Sequence, residues 1–285
     1  VSAFRRPLLA SFNVWGVESS RDVGATAAKA FAAFDWGEVW CVAFQEVWYR
    51  AQLAALDAVW LGSPTPEEEY RPADSVYLAW HKGGAFTRVL PDAAPMDPLA
   101  KLVGKAFDLS SGLVLYTPRK VVDARYEPFV VKGDLGDSLA QKGWLRARLL
   151  GEGGAPLLAV TTHLSDSDND DWGATRGAQI DQLGAMIAAQ PLADVAVLGD
   201  FNIDARSAQA TEIVLTKKLR VLGGQGWVDL NDAANGGGGL STVRGGGGAI
   251  DHHLVNWTVP KASFETRAFG VGKTGSDHCL TVSRW

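Results

Sequence analysis

VLGDFN, residues Val197–Asn202, runs apolar and small residues straight into an aspartate and, two places on, an asparagine. A strand puts alternate side chains on opposite faces, so Asp200 and Asn202 would share one side of its end. Alone, the pair is explained equally by a turn that caps a following helix and by one wall of an active site.

Outward from this stretch, strand-like and helix-like runs alternate along the chain. LLASFNV reads as a strand and RDVGATAAKAFAAF as an Ala-rich helix; VWCVAFQEV is a strand, and AQLAALDAVWL a helix with Leu53, Leu56 and Val59 or Trp60 on one face. SGLVLYT, GWLRARLL and LLAVTTHLS form a strand-rich middle, with GEGGAP at Gly151–Pro156 as a hairpin turn. Thr175–Ala189 presents Ile180, Leu183 and Ile187 at helical spacing, and VAVLGDF, helical QATEIVLTKKL and strands AIDHHLV, SFETRAF and HCLTVSRW follow. This pattern predicts an α/β fold of two packed, mainly antiparallel sheets covered by helices. With no linker and no repeat, residues 1–285 read as a single domain.

The 285 residues are 47% hydrophobic and 21% charged, an ordinary globular composition. A net charge of -5 argues against coating nucleic acid through bulk charge, but not against bringing a cation to a phosphate. Cys41 and Cys279 sit in apolar runs and read as buried free thiols. No apolar run approaches the ~18 to 20 residues of a membrane span. A chain beginning at Val1 rather than Met fits either a mature secreted protein or a trimmed chain, with secretion the favoured expectation.

Several polar features read as surface. PEEEY at Pro66–Tyr70 is a solvated run, His81 a loop residue, and NGGGGLSTVRGGGG, with eight glycines, a mobile loop without phosphate-cradle spacing. SDSDNDD alternates Asp166, Asp168 and Asp170 but lacks the glycine and the closing acid of a calcium loop. The adjacent His252 and His253 face opposite ways on a strand and read as packing residues.

Six segments deliver chemical side chains at the end of an apolar run: SFN with Asn13, AFQE with Gln45 and Glu46, TTH with His163, GDFN with Asp200 and Asn202, AID with Asp251, and SDH with Asp277 and His278. Oxygen donors such as Glu46 and Asn13, with no Cys or His cluster, suit a hard cation such as Mg²⁺. Imidazoles and further carboxylates then suit proton transfer. No G-x-S-x-G elbow supports serine hydrolysis.

This ordered set resembles the endonuclease/exonuclease/phosphatase superfamily from about Asn13 to His278. The resemblance implies a four-layer α/β sandwich and a metal-dependent phosphoric ester hydrolase. It makes Glu46 the principal Mg²⁺ ligand (or ligand of another divalent cation), with Asn13 beside it and Asp277 next to the metal. His163 would donate to a phosphate oxygen, while Asp200 and Asn202 orient water and phosphate. His278 would act as general base or transition-state donor, the base role being favoured, with Asp251 fixing its tautomer.

Three further segments resemble the neutral and bacterial sphingomyelinase branch. They are SGLVLYTPRKVV at Ser111–Val122, Asp137 five residues before Lys142 and Gly143, and Arg176 with Gln179 opening a helix after His163. Lys142 is accordingly placed near the phosphate. The family's common Asp-Tyr is Asp251-His252 here, and Thr117-Pro118 stands where a serine is commoner. The resemblance implies hydrolysis of sphingomyelin to ceramide and phosphocholine by a monomer at a membrane surface; the tryptophans, among them Trp15, Trp48, Trp172 and Trp257, are docking candidates, although most of them read as core. The alternatives are a DNase-like endonuclease, an inositol-lipid phosphatase, and an inactive lipid-binding or toxin subunit. The last predicts a lost metal or histidine position, and none is missing.

Overall fold

The structure, a computed structural model, describes residues 8–14, 39–71, 76–80, 85–92, 111–133, 140–151, 154–166, 172–190, 194–224, 226–236, 239–243, 247–257, 263–267 and 276–284, with single helical positions at 25, 28 and 32. His81, Asp137, Trp15 and all but those three positions of the Ala-rich helix at Arg21–Phe34 lie outside the described residues, as does the side chain of Trp172.

One sheet has eight strands, ordered β13 (Ser263–Arg267), β14 (Leu280–Arg284), β1 (Leu8–Asn13), β2 (Val39–Gln45), β6 (Val114–Thr117), β5 (Thr87–Pro91), β4 (Val76–Trp80) and β3 (Glu67–Arg71). The other has six: β11 (Val228–Asp229), β12 (Asp251–Val255), β10 (Val195–Asp200), β9 (Pro156–His163), β8 (Gly143–Leu150) and β7 (Lys120–Pro128). Pairing is mostly antiparallel, but β1 runs parallel to β2 and β10 parallel to β9. Helix α1 (Arg50–Trp60) covers the first sheet; α2 (Trp172–Ala188) and α3 (Ala210–Leu219) cover the second. The architecture is a four-layer α/β sandwich, and a short α4 (Leu230–Asn235) follows β11.

Packing follows the sequence periodicity. Leu53, Leu56 and Trp60 of α1 bury with Phe12, Phe44 and Tyr116 of the first sheet. Ile180, Leu183 and Ile187 of α2 and Leu215 and Leu219 of α3 bury with Leu158, Val160 and Val197 of the second. Between the sheets lie Leu9, Cys41, Ala43, Leu115, Ala159 and Leu198. Cys41 and Cys279 are both buried free thiols, as expected.

Towards one rim this inter-sheet face turns polar, two residues at a time. Leu9 gives way to Ser11 and Asn13, Ala43 to Gln45, Ala159 to Thr161 and His163, and Leu198 to Asp200, all buried. The Gln45 amide donates to Ser11 Oγ and to Thr161 Oγ1, both at 3.1 Å, and so ties the two sheets just beneath that rim. Parallel strands end at the same edge, and an antiparallel neighbour begins there. The carboxyl ends of β1, β2, β9 and β10 therefore meet the start of β12 at one place.

PEEEY is a surface run, as expected, with Glu67, Glu68 and Glu69 exposed, but it is also ordered: Glu67–Arg71 is the edge strand β3, paired with β4. Consecutive acids mask the strand pattern, and charge suits an edge that must not pair further. Trp48 is a core residue, as expected of most of the tryptophans: it is buried, and its ring packs so closely on Gly112 (φ 64°) that a Cβ there would meet it at 2.8 Å. Trp257 is half-buried.

Arg88 is buried with Asp57 and Glu68 as partners, and Tyr116 Oη donates to Asp57 Oδ1 at 2.7 Å. Burial pushes the Asp57 carboxyl up to about 6 despite the guanidinium beside it. Tyr116→Phe removes one donor to this buried carboxylate and is expected to cost about 1.5–3 kcal/mol. Urea unfolding checks it, and a loss under about 0.5 kcal/mol would show that the bond contributes nothing net.

Candidate active site

The six chemical strand ends converge, and Asp200 Oδ2 is where they meet. Asn13 Nδ2 donates to it at 3.0 Å and, at the same distance, to Glu46 Oε1. His278 Nε2 lies 3.5 Å from Asp200 Oδ2, and His163 Nε2 3.7 Å from it. Behind His278, Asp251 Oδ2 accepts from Nδ1 at 2.9 Å. Asp200 is the register partner of both His163 and Asp251, so the sheet itself sets these spacings. Asp200, Asp251 and His278 each offer a ligand atom within 4.8 Å of the others, a candidate metal-binding group.

Local backbone explains why these residue types stand here. Glu46 and Asn202 have φ of 61° and 51°, the left-handed region. Such strain persists only where the surroundings over-determine it. Asn202 N donates back to Asp200 Oδ1 at 2.8 Å, and its side chain donates to Leu164 O at 3.1 Å. Gly199 (φ 144°) is fixed by a close approach, since a Cβ would lie 2.0 Å from Thr162 O of β9.

The electrostatics divide the titratable groups. Burial alone would lower the His278 pKa, but Asp251 and then Asp200 outweigh it and raise it to about 10. Burial, with Asp251 adding, raises Asp200 to about 7, against the pull of His278, the Asn202 N–H and Asn13. Burial holds His163 well below its ordinary value, with Lys142 and His278 acting the same way and Asp166 against them. Burial raises Glu46, with Asn13, His278 and Lys142 acting the other way.

A divalent cation fits these residues. Glu46 Oε2, Asp251 Oδ1 and Asp277 Oδ1 are buried carboxylate oxygens with no hydrogen-bond partner among the described residues. A buried, unpaired carboxylate oxygen is costly unless a cation or donor meets it. Glu46 is the donor that a hard cation prefers, because Mg²⁺ takes oxygen ligands and keeps several waters.

Other expected residues sit around the hub. Asp277 is half-buried, and its charge contributes to the raised His278 pKa. Lys142 is buried; its ammonium donates to Leu164 O at 3.0 Å and Asp166 at 2.7 Å, and its charge acts on Glu46 and His163. It thus steadies the segment after His163. Gln179 accepts from Ser165 N at 2.9 Å in the same segment. His252 and His253 do point to opposite faces: His252 contacts Asp229 and Ile203 O, and His253 contacts Ser283 and Thr281.

Sequence reasoning missed two supports. Ser276 Oγ donates to Asn13 O at 2.6 Å and accepts from His278 N at 2.9 Å, a hydroxyl turn visible as a serine two residues before the histidine. Thr242, inside the glycine-rich stretch, accepts at Oγ1 from Ile250 N and Asp251 N, both at 3.0 Å, and Val243 bridges to His278. The described residues Thr242 and Val243 in the middle of that stretch are therefore tied to the site by hydrogen bonds. No local signal announces this, because Thr242 works only through its tertiary partners.

The sequence profile of the Endonuclease/Exonuclease/phosphatase family matches residues 10–278. No curated protein matches the chain. Sphingomyelinase C from Streptomyces griseocarneus is similar in fold, with a TM-score of 0.61 at 14% identity over 98% of this chain and 99% of that one. Beta toxin from Staphylococcus aureus, in a mutant with bound magnesium ions, gives 0.63 at 12% identity over 98% and 99%. Truncated TDP2 from Caenorhabditis elegans gives 0.59 at 14% identity over 98% and 97%.

Proposed function

The chain belongs to the endonuclease/exonuclease/phosphatase family, whose members are generally divalent-metal-dependent hydrolases of phosphodiester bonds, and from that premise we propose that it is a Mg²⁺-dependent phosphodiesterase of the sphingomyelinase type. The observation that carries the hydrolase reading is the convergence of Asn13, His163 and His278 on Asp200 Oδ2 beside the orphaned Glu46 oxygen.

Glu46, with Asn13 orienting it, would hold the cation, which when bound neutralises the diester and favours attack by water. The chain's own groups divide the protons. Asp200, raised to about 7, is the acceptor for the proton of the attacking water. His278 keeps its proton under the two carboxylates and suits donation to the departing alkoxide. The sequence reading favoured His278 as the base; its paired carboxylates are the reason for dividing the roles this way instead. Nε2 and Oδ2 lie 3.5 Å apart, so the proton can return across that contact between turnovers. His163, buried and held low in pKa, serves as a hydrogen-bond partner for a phosphate oxygen.

Two observations support a lipid rather than a nucleic-acid substrate. Net charge is -5. Val130 is 86% and Val131 37% exposed on the turn after β7, and Gln179 links Val131 O to Ser165 N, two residues from His163. Exposed apolar side chains beside a phosphodiester site suit an interface with acyl chains. Among the described residues no helix is long and apolar enough to cross a membrane. The likeness to TDP2 keeps a DNase-like activity as the second reading.

The test is phosphocholine release from sphingomyelin vesicles with Mg²⁺ and with EDTA, with plasmid DNA and phosphatidylcholine vesicles in parallel. Release that EDTA abolishes, with DNA intact, is the expected result. DNA cleavage without phosphocholine would keep the site and overturn the substrate.

A further inference from the structure

Two buried ion pairs of the outer layer close on the turn that follows Asp200. Arg176 of α2, 6% exposed, donates through one guanidinium nitrogen to Asn202 O and through the other to Glu212 Oε1 at 2.8 Å. Glu212 of α3 accepts from Asp204 N at 2.7 Å. From the other side, His252 of β12 places Nε2 2.8 Å from Ile203 O and Nδ1 2.6 Å from Asp229 Oδ2. The carbonyls of Asn202 and Ile203 and the amide of Asp204 are thus each held by a side chain from outside the turn. None of these side chains is among the groups that converge on Asp200 Oδ2.

The arrangement has a physical purpose. The left-handed Asn202 costs roughly 1–3 kcal/mol, and such a conformation is kept only by partners that fix it. A buried cation aimed at a carbonyl needs its own acid, and each one here has it. A planar guanidinium reaches the Asn202 carbonyl and the Glu212 carboxylate through two separate nitrogens held in a fixed fork, a geometry that a single ammonium nitrogen does not reproduce.

We propose that Arg176 with Glu212, and His252 with Asp229, are positioning residues for the phosphodiester reaction. They lock the Asn202–Asp204 backbone so that Asn202 N–H stays on Asp200 Oδ1, which leaves Oδ2 facing Asn13 and His278. The proposal rests on the hydrolase reading above. Its His252 half belongs to this chain, which has histidine where the family resemblance leads one to expect tyrosine.

The test compares the full chain with R176M/E212Q, which removes both charges of one pair together and so leaves no unpaired buried ion, and with R176K. For R176M/E212Q the expected result is a fall in kcat of about 30- to 100-fold with KM within about two-fold and an unfolding midpoint close to the parent's. Exchange of the Asn202 amide should be at least about ten-fold faster. R176K, which offers one nitrogen in place of the two-pronged fork, should fall between. Unchanged kcat, or a loss that tracks global stability, overturns the proposal. If the parent chain cleaves no phosphodiester, the hydrolase reading has failed by itself. Amide exchange then judges the clamp: unchanged exchange overturns it, and faster local exchange at unchanged global stability supports it.

Discussion

Replacing Asp200 by asparagine is expected to lower metal-dependent turnover about a thousand-fold while the protein stays folded. The carboxylate is an acceptor at both oxygens. Oδ1 takes the Asn202 N–H, and Oδ2 takes Asn13 Nδ2 and faces His278 and His163. An asparagine that keeps its oxygen on Asn202 must turn an NH2 towards Asn13 and His278, setting donor against donor. It also removes one of the two charges that hold the His278 proton, so acceptor and donor are weakened by one substitution. Stability should fall by about 1–3 kcal/mol, the cost of one buried donor left facing another, with little further loss from the missing charge because burial already raises this carboxyl to about 7. Single-turnover kinetics with a thermal unfolding control is the measurement. Turnover above about a tenth of the parent's, with unchanged metal dependence, would remove Asp200 from the reaction.

Gly199→Ala should cost about 2–6 kcal/mol, from roughly 1–3 of backbone strain and 1–3 of overpacking. The new Cβ would lie 2.0 Å from Thr162 O, a backbone atom in the parallel partner strand, at a φ of 144° that L side chains rarely adopt. Relief requires β10 to move away from β9, and that displaces Asp200 from His163, its register partner. Activity should therefore fall further than the unfolded fraction alone explains. Urea denaturation decides it: a loss below about 1 kcal/mol would mean that the two strands can part cheaply at the site.

Much of this was legible in the chain. Leu9-Ser11-Asn13, Ala159-Thr161-His163 and Leu198-Asp200 carry the apolar-to-polar gradient in plain alternation, and Ile180, Leu183 and Ile187 mark the buried side of α2. Edge strand β3 was hidden, because an edge can carry acids at consecutive positions where a central strand cannot. Thr242 was hidden for a different reason: its hydroxyl serves amides eight and nine residues away, and nothing in a glycine-rich neighbourhood signals that return.

The sequence by itself determined which side chains end which strands, because a two-residue period and a 3.6-residue period are local properties of the backbone. It therefore named Asn13, Glu46, His163, Asp200, Asp251 and His278 as a set. Only the tertiary structure decided that Asp200 Oδ2 is the point around which they gather, and that Arg176 and His252 reach the turn beside it. Asn13 and Asp200 are 187 positions apart and touch because two parallel strand pairs, in two stacked sheets, end at one rim. A pKa of about 10 for His278 exists only once burial has stripped away water and left two carboxylates beside the ring, a field that no local pattern encodes.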